Sequence, residues 1–391
     1  MPRQASVGTA TAPILSSVLT LLIAFGISVL ITGLIVRSAG LHAHRSADRD
    51  FSQPQKFHAV PVPRIGGIAV VAGLLGAIAV LLVHWRNEQL HAALLLTACA
   101  IPAFLAGLWQ DMTDAIAPRG RLMATALSAA LSFYLLDTGL DHTGIPGLDW
   151  VVGFAAGSLL VTVLAVAGVA NAINIIDGFN GLASMCIMLM LSAVAYVAFQ
   201  VDDTLVGTLA LAGIGAVLGF FLWNFPSGLV FLGDGGAYFL GFFLAELLLL
   251  LLHRNPGEVS PIFALLVCVY PIFETLFSIY RRVFLRSGSP SVPDGLHLHS
   301  LMYRRLLRWA MGDRSARSIT RSNAMTSPLL WALCSLSLAP AVLFWDDSLL
   351  MSGFLLLFAV TYLGLYWRIV RFRSPRWLRR WRPNRASPLR R

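Results

Sequence analysis

The residues with the clearest capacity for chemistry are polar groups set beside long apolar runs. Gly233-Asp234-Gly235-Gly236 places one carboxylate among glycines. Such a carboxylate is open enough to meet a phosphate-bound Mg2+, which keeps few protein ligands, although ordinary turns carry the same pattern. Asn224 stands ten residues earlier, in Trp223-Asn224-Phe225-Pro226. Asn171, Asn174 and Asp177 recur every three residues and so form one stripe on a helix. Gly178, Asn180 and Gly181 follow where that helix should break. Two amides and a carboxylate beside a flexible turn suit a nucleotide or a metal; helix capping accounts for one such residue, not four.

Three further groups leave their alternatives open. Asp111 and Asp114 lie on one face if their helix continues, and suit a hard cation, a proton, or merely a solvated helix end. Lys56, His58 and Arg64 precede Gly66-Gly67 at the start of an apolar run. Cationic side chains and free helix-start amides can hold phosphate; a basic loop with a proline-rich turn fits equally well. His297 and His299 follow Pro293-Asp294 in a long basic loop. Zinc lacks a cysteine or a third close histidine there, which leaves phosphate or uracil contact, or plain loop histidines.

The elements that must position these groups are membrane helices. The chain has 391 residues, of which 57% are hydrophobic and 12% charged, with a mean hydropathy of +0.74. A soluble domain carries about 25% charged residues, so too few are present to coat a water-exposed surface. Eleven apolar runs are long enough for helical spans: 13–36, 65–85, 90–109, 122–140, 151–173, 181–199, 204–223, 235–252, 261–280, 325–345 and 348–367. The expected fold is an all-α polytopic membrane protein of about eleven transmembrane helices. Residues 1–367 form a single domain, followed by an arginine-rich tail, 368–391. Cys99, Cys186, Cys268 and Cys334 lie inside apolar runs without metal-ligand spacing and read as small buried hydrophobes.

Arginine and lysine collect in alternate loops, within 37–64, 110–121 and 281–324, and in the tail, and the net charge is +10. The positive-inside rule makes that side cytoplasmic, with the amino terminus outside and the carboxyl terminus inside. The tail then meets anionic lipid rather than nucleic acid. All five polar groups fall on this same side, in 37–64, 110–121, 174–181, 224–234 and 281–324. One active site facing the cytoplasm requires that.

In the order and spacing of these five groups the chain resembles the polyprenyl-phosphate N-acetylhexosamine-1-phosphate transferase superfamily, glycosyltransferase family 4. His297-x-His299 is closer to its undecaprenyl-phosphate N-acetylglucosaminyl-1-phosphate transferase branch than to the phospho-MurNAc-pentapeptide translocases, which carry adjacent histidines. The resemblance implies transfer of N-acetylhexosamine-1-phosphate from a UDP-sugar to undecaprenyl phosphate in the bacterial inner membrane, starting a lipid-linked envelope glycan such as O-antigen. It implies Mg2+, with Mn2+ as a substitute, on Asp234 and Asp111. Asp111, Asp177 and Asp234 would be catalytic. Lys56, His58, Asp114, Asn171, Asn174, Asn180, Asn224, His297 and His299 would bind substrate. Membrane lipids and a second copy of the chain are the other expected partners. The sequence departs from the family where Gln110 replaces the first of two paired aspartates, Asn180 an aspartate, Ala237 a serine and Ser300 a histidine. Gln110 carries no charge, which keeps an impaired homologue with a regulatory role as one alternative. A secondary transporter is another, but it would place its site near the midplane, often between repeats.

Overall fold

The computed structural model describes residues 7–41, 47–48, 61–84, 88–285, 296–307 and 315–371. Lys56 and His58 lie outside them. The chain is helical almost throughout; the described strands are the two-residue pair Ala47–Asp48 and Val62–Pro63. Eight described helices are long and apolar enough to cross a membrane, nine if one bent pair counts as a span. Two other expected runs are helices that fall short of that test. Gly66–His84 (α2) has an apolar stretch of only 17 residues, Gly66–Leu82. Pro118–Leu135 (α5) opens with Arg119 and Arg121 and buries Ser128 and Ser132.

The hub is Gly233–Arg254 (α10), whose apolar window is 94% buried inside the protein. A helix shielded from lipid on every side can carry a buried carboxylate, and Glu246 in its middle accepts from Ser132 Oγ at 2.5 Å and Thr138 Oγ1 at 3.0 Å. Around it stand α2, Ile101–Thr113 (α4), α5, Ala155–Ile176 (α7), Leu182–Gln200 (α8) and Thr204–Asn224 (α9). Val7–Arg37 (α1) packs along α2 and α9. The final helix, Ser348–Val370 (α15), is only 17% buried and faces outward.

The chain interrupts its apolar runs for local reasons. The run 90–109 divides into Glu88–Cys99 (α3) and α4, with Pro102 in the first turn of the second helix. Pro146–Val152 (α6) precedes α7 as a separate short helix. The run 261–280 bends by 70° between Pro261–Val267 (α11) and Val269–Tyr280 (α12). Pro271 lacks the N–H that would reach the Val267 carbonyl, so the ladder opens there. Beyond the long loop, Leu298–Met302 (α13) is a single short turn, and Ala316–Leu343 (α14) begins earlier than the apolar run 325–345, taking in part of the expected loop 281–324. Acidic residues in two short links between helices act as helix caps. Asp203 accepts from Val206 N, and Asp347 from Leu349 N and Leu350 N.

Candidate active site

The start of α10 draws the separate sequence groups together. Gly233 has φ +76°, and a Cβ there would strike the Arg64 carbonyl and the Asp111 carboxylate, so only glycine fits. Gly66 N donates to Phe231 O at 3.0 Å and Gly67 N to Leu232 O at 2.9 Å, while Phe231 N donates to Pro63 O at 2.8 Å. These bonds lay the 62–67 segment beside Asp234. Gly107 allows α4 equally close, against the Asp234–Gly235 backbone.

Asp234 is one-quarter exposed and fully engaged. Its Oδ1 accepts from Asn174 Nδ2 at 2.7 Å, and its Oδ2 pairs with the Arg121 guanidinium. Arg121 also lies over the Tyr238 ring, whose hydroxyl donates to Asn171 Oδ1 at 3.2 Å. Asp111 is buried. It receives Asp234 N and Gly235 N at 2.9 Å each, so its carboxylate caps α10 from a neighbouring helix. Arg64 spans the Asp111 carbonyl and the Asp114 carboxylate, at 3.3 and 2.9 Å. Asp114 itself is exposed and ends α4 in the left-handed region. Gln110 closes the following turn, its Oε1 accepting from Ile116 N at 2.7 Å.

Asp177 ends α7 and is an electrostatic neighbour of Asp111. Burial penalises its charge and pushes its pKa up to about 7. The turn after it is clamped from two sides. Asn224 Oδ1 accepts from Gly181 N at 2.6 Å, and Asn224 Nδ2 donates to Val230 O at 2.7 Å. From α14, Asn323 accepts from Asn180 N, Ser327 donates to Asn180 O and Trp331 donates to Gly181 O. Asn180 Nδ2 donates to Pro226 O at 3.0 Å. Asn180 and Asn224 therefore serve the local frame with their polar atoms.

His297 and His299 are both buried and their rings stack at 5.2 Å. His299 meets Phe179 edge-on, and its Nε2 lies over Gly178. Burial, aided by the neighbouring His297 ring and opposed by Glu274, lowers the His299 pKa to about 3, so the ring is neutral at pH 7. The structure thus joins residues from all five groups, Lys56 and His58 excepted as undescribed.

The residues accommodate a phosphate-bound Mg2+ in one respect. Asp234 presents a partly exposed carboxylate that already faces a cation, Arg121. Among the described residues no three His, Cys, Asp or Glu side chains group as a closed metal cage. A bound Mg2+ would rest on Asp234 and on substrate phosphates, as Mg2+ commonly does.

Residues 93–252 match the model of glycosyl transferase family 4. A Pasteurella multocida protein named undecaprenyl-phosphate alpha-N-acetylglucosaminyl 1-phosphate transferase is 30% identical over 345 residues, covering 84% of this chain and 88% of that protein. The chain belongs to this family. A Bacillus subtilis relative, named as a probable undecaprenyl-phosphate N-acetylglucosaminyl 1-phosphate transferase, is 28% identical over 298 residues, 75% of this chain and 79% of that protein. A Haemophilus influenzae relative with the same name as the Pasteurella protein is 28% identical, covering 83% of this chain and 88% of its own. The matched segment carries Asp111, Asp177 and Asp234. The histidine pair and the α14 clamp lie beyond it.

Three site residues were not singled out from the sequence. Arg121 looked like ordinary basic-loop charge. Tyr238 looked like an apolar-run aromatic. Glu274 sits inside the run 261–280, and a lone carboxylate at that depth is the signal that could have found it.

Proposed function

We propose that the chain transfers N-acetylhexosamine-1-phosphate, most simply N-acetylglucosamine-1-phosphate, from a UDP-sugar to undecaprenyl phosphate. UMP leaves, and the lipid diphosphate sugar starts a lipid-linked envelope glycan such as O-antigen. The observation that carries this reading is the convergence of Asn174, Arg121 and the Asp111-capped helix start on one partly exposed carboxylate, Asp234, in a chain whose relatives bear that activity in their names.

An oxygen of the acceptor phosphate attacks the β-phosphorus of the donor, and the bond between that phosphorus and the UMP oxygen breaks. Mg2+ held by Asp234 would supply positive charge against the negative charge that develops in the transfer. Asp234, held by Asn174, keeps its carboxylate at the helix start where the diphosphate arrives. Arg121 moves from that carboxylate to a donor phosphate. Asp177, with its pKa near 7, takes the remaining proton of the acceptor, whose second pKa of about 6 already leaves it mostly dianionic. His297 and His299, together with Lys56 and His58, are assigned to the phosphates and the nucleotide.

The same reading includes eleven spans, completed by α2 and α5, with the amino terminus outside and the carboxyl terminus in the cytoplasm. The site then opens to the cytoplasm at the inner membrane surface, where a soluble nucleotide and a bilayer-anchored phosphate can meet. Transfer of radiolabelled sugar phosphate from UDP-N-acetylglucosamine to undecaprenyl phosphate in detergent tests the reaction. Mg2+-dependent lipid product, lost in Asp234→Ala, is expected. Absence of product across a panel of UDP-sugars would overturn it in favour of the impaired-homologue reading.

A further inference from the structure

Glu274 is a buried carboxylate on α12, the helix that follows the bend at Cys268. Both of its oxygens are spoken for. Oε1 accepts from His297 Nδ1 at 3.0 Å and from Leu298 N at 3.0 Å, and Oε2 accepts from the Tyr362 hydroxyl at 2.8 Å. Tyr362 comes from α15, outside the segment that matches the family model. The bond to Leu298 N alone would make Glu274 a cap for the short helix α13. A neutral serine or asparagine would serve for that. Burying a carboxylate costs several kcal/mol unless a specific partner compensates, and the ionisable partner in reach here is the His297 ring.

A carboxylate on Nδ1 fixes which ring nitrogen carries the proton. Nε2 then becomes the working atom of His297, and it lies 3.4 Å from Arg282 Nη2. The ring is also parallel to His299, within 6°, and His299 rests on the Asp177–Gly178 turn. The orientation of one imidazole is therefore set on one side by Glu274 and read on the other beside Asp177.

We infer that Glu274 is a positioning residue for the proposed transfer: it holds His297 in the Nδ1–H tautomer, so that Nε2 accepts from Arg282 and fixes that guanidinium for the anionic substrates, and Tyr362 fixes the second carboxylate oxygen. The inference rests on the transfer reading for its kinetic consequence, but the tautomer stands apart from that reading.

The test uses the full chain in detergent. In protein labelled with 15N-histidine, the His297 resonances are assigned by their loss in His297→Gln. The native ring should show a protonated Nδ1 and an unprotonated Nε2, and Glu274→Gln should mix the tautomers. An unchanged His297 pattern in Glu274→Gln would overturn the proposal. Kinetically, Glu274→Gln should lower kcat about 10–100-fold, the range for residues that orient a functional histidine, with the thermal midpoint little changed. The double variant with His297→Gln should be no slower than His297→Gln alone, because the two act as one unit; additive losses would show an independent structural role and sink the idea. If Glu274→Gln does not fold, Tyr362→Phe removes one donor only and should show a smaller tautomer shift in the same direction; none would count against the proposal. A native protein without transfer activity would refute the transfer reading and leave the resonance pattern to decide the role of Glu274.

Discussion

The guanidinium of Arg121 rests on Oδ2 of Asp234, while Asn174 holds Oδ1. A fixed cation and a divalent metal cannot both take the same oxygen at full strength. In the proposed transfer Arg121 would therefore compete with Mg2+ at Asp234 until a substrate phosphate drew it away. Arg121→Ala should bind Mg2+ several-fold more tightly in the absence of substrate, measured by calorimetric titration, yet turn over more slowly. Weaker metal binding in that variant would mean that Arg121 assists the site in the resting state instead of screening it.

Asp111 acts on Asp234 through the backbone, since both its oxygens receive helix-start amides. Asp111→Ala removes a cap from α10, and loss of a cap costs about 1 kcal/mol. The thermal midpoint in detergent should fall by a few degrees. Transfer should fall far more, because the helix start carrying Asp234 loses its anchor. Asp111→Asn, which keeps one acceptor oxygen, should lie between the two on both measures. Equal activity in Asp111→Asn and the native protein would show that charge at this position is dispensable.

Two groups whose charged forms are desolvated give opposite pH signatures. Asp177 has a folded pKa of about 7 against 3.8 for the free side chain. The folded state holds that proton more tightly, so this contribution to stability is present below pH 4 and is lost as pH rises to about 7. Asp177→Asn should remove that decline: its thermal midpoint should gain on the native one between pH 4 and 7, then stay parallel above. A constant difference between the two over that window would contradict the burial of Asp177.

His299 behaves the other way. Its folded pKa of about 3 lies below the usual 6.5 because burial disfavours the charged ring. The unfolded chain binds the extra proton between those values, so stability falls as pH drops from about 6.5 toward 3. His299→Gln should blunt this acid loss, read as the slope of thermal midpoint against pH. An acid profile equal to that of the native protein would place the acid sensitivity elsewhere.

The polar groups that matter were largely visible in the sequence because the membrane makes them conspicuous. Asp234 among glycines, and the Asn171–Asn174–Asp177 stripe, stand out against apolar runs whatever their partners are. What stayed hidden was which atom meets which. Spacing alone does not reveal that the Asp111 carboxylate caps α10, nor that Asn224 spends both ends of its amide on backbone. Such roles are set by close approach of distant segments, as where Gly107 and Gly67 let two helices reach the start of α10. Arg121 was lost among loop arginines because a basic residue near a membrane surface is ordinary by type. Glu274 was lost because the count of apolar residues in 261–280 hid the single acidic one. The eleven runs all lie on helices, but their continuity did not follow from hydropathy: Pro271 breaks one, and polar residues from 316 onward extend another.

The clamp on residues 180–181 has a bearing on how this protein can be divided. Asn323, Ser327 and Trp331 grip backbone atoms of Asn180 and Gly181 and so depend little on which side chains stand there. The gripping helix, however, belongs to the part of the chain after residue 252, where the match to the family model ends. A fragment cut at that boundary would keep the three site carboxylates yet release the turn that carries Asp177. The stretch that matches the family model is in this sense a parts list, and the later helices are the jig in which the parts are assembled.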